Sequence, residues 1–72
     1  MAEHIDLGAI KVIEVIGVSP SSFEDAVKMA LSKAAESITG ITGVEVQSLS
    51  ASVRDGEIAH YKANVKIAFV VS

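Results

Sequence analysis

The sequence predicts an α+β fold: a β-α-β-β protomer whose three-stranded antiparallel sheet, in the order 1-3-2, wraps partly around one amphipathic helix. Three observations carry this. Ala59, Tyr61, Ala63, Val65, Ile67, Phe69 and Val71 alternate with His60, Lys62, Asn64 and Lys66, the period of a strand with one apolar and one polar face. Phe23, Ala26, Val27, Ala30, Leu31, Ala34, Ala35 and Ile38 recur at helical spacing. Asp55-Gly56 stands between two apolar runs, the local signal of a tight hairpin.

Taken in order, a polar lead over residues 1–9 precedes a strand from Ile10 to Gly17, rich in β-branched residues. Its two faces, Val12-Glu14-Ile16 and Lys11-Ile13-Val15, are both mainly apolar, so this strand is expected to be covered on both sides, one of them by a neighbouring subunit. Ser19, Pro20, Ser21 and Ser22 open the helix. Ser21 and Glu24 stand at capping-box spacing, and Glu24 and Asp25 lie near the positive end of the helix dipole. The helix is expected to run to about Ile38, with Thr39, Gly40, Thr42 and Gly43 forming the stop and the connection.

The second strand, Val44 to Arg54, changes its apolar face midway. Val44 and Val46 share a side with Ser48, Ser50 and Ser52, and Leu49, Ala51 and Val53 take the other. A bulge near Gln47 and Ser48 would return both apolar runs to one side and curl the strand around the helix. Arg54 to Glu57 make the turn, and the long last strand follows. A right-handed crossover through the helix makes strands one and two parallel, with the third fitting between them, antiparallel to both.

A chain of 72 residues makes one domain. A domain this small buries only about 60% of the surface its unfolded chain exposes, and is marginal alone. With no cysteines, neither disulfides nor thiolate metal sites can reinforce it, which leaves self-association. A net charge of -3 with Arg54 the single arginine argues against nucleic acid as a partner. No stretch approaches the roughly 20 apolar residues of a membrane helix and the start of the chain lacks a signal-peptide pattern, so a soluble cytoplasmic protein is expected.

Residues with catalytic spacing are missing: there is no phosphate-cradling glycine loop, no HExxH, no GxSxG and no cysteine nucleophile, so no enzyme is expected. His4 and His60 are far apart in sequence and read as solvated or singly hydrogen-bonded side chains. Glu14, Glu45, Asp55 and Glu57 match no calcium loop; a structural cation is expected only at a symmetry axis, where copies of one carboxylate converge. Ser48, Ser50 and Ser52 read as a solvated strand face or as hydroxyls lining an interface.

The opening IKVIEVIGVSPSSFEDAV, the helix end AAESITGI, the stretch GVEVQS and the closing AHYKANVKIAFVV resemble the dodecin family from about Lys11 to Val71. The resemblance implies a homododecamer, a hollow sphere that is not an enzyme and that stores and shields a small ligand. In flavin-binding members the isoalloxazine rings of riboflavin, FMN or FAD bind in pairs between subunits, each sandwiched by an indole and hydrogen-bonded by a glutamine. This chain carries Gly43 at the tryptophan position, just before Val44-Glu45-Val46, and Lys62 at the glutamine position, after Tyr61. Glycine offers no ring, and lysine donates hydrogen bonds but accepts none. The candidate ligand-binding positions are therefore Gly43, Val44, Glu45, Gln47 and Lys62, with flavin as the family ligand and a structural or ion-holding dodecamer as the alternative.

Overall fold

A computed structural model describes residues 8–71. The lead expected over 1–9, with His4, lies outside the described residues up to position 7. The elements are β1 (Ala9–Ser19), α1 (Phe23–Ala35), β2 (Ile41–Arg54) and β3 (Glu57–Val71). They form one sheet in the order β1-β3-β2, with β3 antiparallel to both neighbours, as the crossover argument expects.

The core lies between α1 and the middle of the sheet. Ala26, Ala30 and Ala34 of α1 pack on Ala63, Val65 and Ile67 of β3, with Ile13, Val15, Val27 and Ile41 around them. Small residues bring the helix close, and Gly17 brings it closer still. A Cβ built there would lie 1.9 Å from the Ala26 carbonyl oxygen, so only glycine fits where β1 passes under α1.

The β1–α1 joint is a short polar knot. Fully buried Ser19 donates its hydroxyl to Asp25 Oδ2 at 2.7 Å and accepts from the Ser21 backbone N–H at 2.9 Å. Because Ser21 is held back to Ser19, the helix starts one residue later than its capping-box spacing predicts. Ser22 is the N-cap, its side chain accepting from the Asp25 N–H, and Glu24 turns instead to Lys28, 3.6 Å away. The helix also ends at Ala35, short of Ile38. Glu36 N–H bonds back three residues to the Lys33 carbonyl at 3.2 Å, tightening the last turn, and Gly40 with φ 78° redirects the chain.

Strand β2 begins at Ile41, earlier than Val44, because Thr42 and Gly43 are absorbed as an irregularity in the pairing: Ile41 faces Phe69 and Gly43 faces Ala68. The expected bulge is present. Val46 pairs with Val65 and Ser48 with Asn64, leaving Gln47 as the extra residue and restoring Val44, Val46, Leu49 and Ala51 to the helix side. Asp55 and Gly56 both take positive φ, 54° and 79°, as a two-residue type I′ hairpin turn requires.

Element lengths set the shape. A helix of 13 residues is about 20 Å long, whereas a strand of 15 residues spans about 50 Å. The protomer is accordingly elongated, 52 × 19 × 18 Å, and α1 covers only part of one sheet face. Val46 and Leu49, on the helix side of β2 but beyond the helix, stay 47% and 50% exposed.

Three substitutions test this packing in urea unfolding at fixed protein concentration. Gly17→Ala is expected to destabilise by about 3 kcal/mol or more, because backbone on both sides must move. Gly43→Ala, whose Cβ would meet only Ala68 Cβ at 3.9 Å, is expected to be neutral or stabilising by up to about 1 kcal/mol. Ser19→Ala strands the Asp25 carboxylate and the Ser21 N–H at once, and its expected cost is about 1–3 kcal/mol.

Candidate functional site

Alternation and register define a second sheet face, turned away from α1. Reading across β1, β3 and β2, it runs Val12-Ala68-Gly43, then Glu14-Lys66-Glu45, then Ile16-Asn64-Ser48, then Val18-Lys62-Ser50, and ends with His60 opposite Ser52. Among the described residues no element covers it. Val12, Ile16 and Val18 are 50%, 60% and 45% exposed, so the apolar side of β1 that the sequence assigns to a neighbouring subunit is bare in the single chain.

The face has two chemically different ends. At the first, Val12, Gly43, Val44, Glu45, Lys66 and Ala68 line an open, mainly apolar pocket of about 430 Å³. The missing side chain at Gly43 leaves its floor low, and its φ is unrestrictive for larger residues. Lys66 sits in register between Glu14 and Glu45, so one cation stands in a row with two carboxylates across three strands.

At the other end Ser50 lies opposite Lys62 and Ser52 opposite His60, with Ser52 Oγ 3.5 Å from His60 Nδ1. Between the two ends Asn64 holds a buried Oδ1 with no hydrogen-bond partner. A buried acceptor without a donor costs about 1–3 kcal/mol, relieved when water, a ligand or another chain supplies the donor.

The predicted site residues thus separate. Gly43, Val44 and Glu45 meet at the pocket. Gln47 protrudes at the bulge, exposed and outside the pocket lining. Lys62 shares the open face, but its row is six residues along β3 from the Gly43 row, about 20 Å. Val12, Lys66 and Ala68 complete the pocket and were not singled out by sequence. Ala68 does leave a signal: it interrupts the polar alternation of β3 with a small residue opposite a glycine.

The dodecin family model matches residues 9–72. The chain belongs to the dodecin family. Among solved structures it resembles the dodecin of Streptomyces coelicolor, 26% identical over 94% of this chain and 97% of that one, with a TM-score of 0.91. It also resembles a calcium-chelating immunodominant antigen of Mycobacterium tuberculosis, calcium dodecin, 31% identical over 89% of this chain and 91% of that one, with a TM-score of 0.79. The dodecin of Streptomyces davaonensis, at 22% identity, 93% and 98% coverage and a TM-score of 0.88, shares the fold. No curated protein sequence matches.

Against the flavin sandwich of the family, the residues present do not fit. The chain has three aromatic side chains, Phe23, Tyr61 and Phe69, and none lies on the open face. Tyr61 packs edge-on against Phe23 with ring centroids 5.0 Å apart, on the helix side. Phe69 alternates with Ile67 on that same side. No ring is available to stack against a ligand in the pocket, and the glutamine position holds a lysine in a different row. Among the described residues, no three histidine or carboxylate side chains gather to hold a metal within one protomer.

Proposed function

We propose that this protein is a non-enzymatic homo-oligomeric cage, dodecameric as its family resemblance implies, that binds and stores a small ligand on the open sheet face. The observation that carries the reading is the uncovered face itself, with an apolar pocket of about 430 Å³ at one end and polar donors at the other. Storage, not turnover, follows from the site chemistry: no acid, base and nucleophile converge there. The cargo is a planar or anionic metabolite of the cytoplasm, and riboflavin, FMN or FAD would have to bind without their usual ring and glutamine.

Fluorescence titration tests this. Wild-type protein at micromolar concentration is expected to leave riboflavin and FMN emission unquenched, whereas Gly43→Trp combined with Lys62→Gln is expected to quench it near stoichiometrically. Sedimentation is expected to give an assembly much larger than one chain. Failure of the double variant to quench while still assembled would remove the open face as the ligand face. A monomer would sink the cage.

A second reading is favoured by the calcium dodecin relative and by the paired Glu14 and Glu45: an ion-holding shell in which a structural cation sits at a symmetry axis. On that reading elemental analysis finds a divalent cation at a fixed ratio to the chains and a chelator lowers the Tm. Metal-free protein with an unchanged Tm counts against it.

A further inference from the structure

The polar end of the open face has no part in the apolar pocket, and its composition is one-sided. Lys62 is half-buried, with Ser50 opposite, His60 and Asn64 two residues away on its own strand, and Ser48 and Ser52 diagonal to it on β2. Every one of these side chains can donate a hydrogen bond, and none is a carboxylate.

Three other lysines of this acidic chain have carboxylates beside them, at ion-pair distance or in register. Lys28 lies 3.6 Å from Glu24, Lys33 lies 3.5 Å from Glu36, and Lys66 stands between Glu14 and Glu45. The carboxylates nearest to Lys62 on its face belong to the Lys66 row, four residues along β3 and about 13 Å away.

Spacing makes this a candidate grip. Ser50, Ser52, Lys62 and His60 stand at the corners of a frame about 5 Å across the strands and about 7 Å along them. A single tetrahedral oxyanion at its centre reaches donors from two strands, with an ammonium for its charge. Lysine binds phosphate as a compact point charge, and rotatable serine hydroxyls adapt to the remaining oxygens. A carboxylate, with two oxygens, would use fewer of the four corners. On the third strand Ile16 and Val18, 60% and 45% exposed, border the frame with apolar surface on which the organic part of an ester can lie.

We propose that Lys62, Ser50, Ser52 and His60 form a phosphate-binding site, and that the cargo of this protein is a small phosphate monoester whose organic part rests on Ile16 and Val18. The inference rests on the reading that the open face is the ligand face, and it names the class of ligand. It places recognition on an anion, where the family resemblance places it on a ring.

The test is equilibrium dialysis of the assembled full-length protein against inorganic phosphate and phenyl phosphate at about 0.15 M salt, where exposed charges more than about 8 Å apart are largely screened. Acetate and phenol serve as the carboxylate and neutral controls. Wild-type protein is expected to retain both phosphates, phenyl phosphate the more tightly, and neither control. Lys62→Gln is expected to weaken retention roughly tenfold, and Ser50→Ala roughly threefold while Ser50→Thr keeps it, in line with loss of a charge-assisted and a neutral hydrogen bond.

Lys28→Gln removes the same charge from the helix and is expected to change nothing. Equal losses in Lys62→Gln and Lys28→Gln would mean diffuse attraction and overturn the site, as would no retention at millimolar phosphate. If Lys62→Gln fails to assemble, the charge-neutral pair Ser50→Ala and Ser50→Thr decides, and equal retention in those two overturns the proposal. An intact assembly in which Gly43→Trp with Lys62→Gln gains flavin, but whose wild type ignores phosphate, defeats this inference alone. A chain that does not assemble defeats the cage reading instead.

Discussion

Everything in this protomer hangs on how closely α1 approaches the sheet. The contact is backbone against backbone: Gly17 of β1 lies under Ala26 and Ala30, with Ala63 beside it on β3, and Ala34 continues the line of small residues along the helix. Small residues lower the helix onto the strands, which buries Val65 and Ile67 completely. The helix is also short, which confines the core to mid-sheet. The ends of β2 and β3, and the whole reverse face, are then left for something other than α1. For a domain of this size that is a large share of apolar surface to leave bare, and it is the physical ground for the proposed assembly.

Much of this arrangement is legible in the residues because it follows from local periodicity. The alternation of Ala59 to Val71 marks β3 and its two faces, and Asp55-Gly56 marks the turn. The change of apolar face at Gln47 locates a bulge that the pairing of Val46 and Ser48 bears out. Boundaries are less legible, since each is decided by a competing hydrogen bond. Ser19 captures the Ser21 N–H and moves the cap to Ser22, and the three-residue bond from Glu36 to Lys33 ends α1 early.

The candidate site lies at the limit of such reading. Val12, Gly43 and Ala68 are far apart in the chain and become one pocket only through register across three strands. That register depends on the bulge at Gln47 and also on an irregularity at Thr42, and the second has no change of apolar face to announce its position. Lys66 between Glu14 and Glu45 is hidden for the same reason: three separate charges in sequence become one row in the sheet. Its counterpart Lys62 is legible as a departure from the family pattern, but its surroundings of hydroxyl donors are not.

The separation of the two ends has a further consequence for the proposed cage. Gly43 and Lys62 lie about 20 Å apart along one protomer's face, too far to touch one small ligand together. Any ligand that meets both must lie between copies, with the apolar end of one face against the polar end of another. Binding would then stabilise the assembly by mass action, since the complete site exists only there. A ligand held by the Lys62 frame alone needs only one protomer and leaves assembly unaffected. Whether bound phosphate ester raises the stability of the oligomer therefore separates a site shared between copies from one carried whole by each chain, and asks of the assembly what the single sheet face poses as a question of distance.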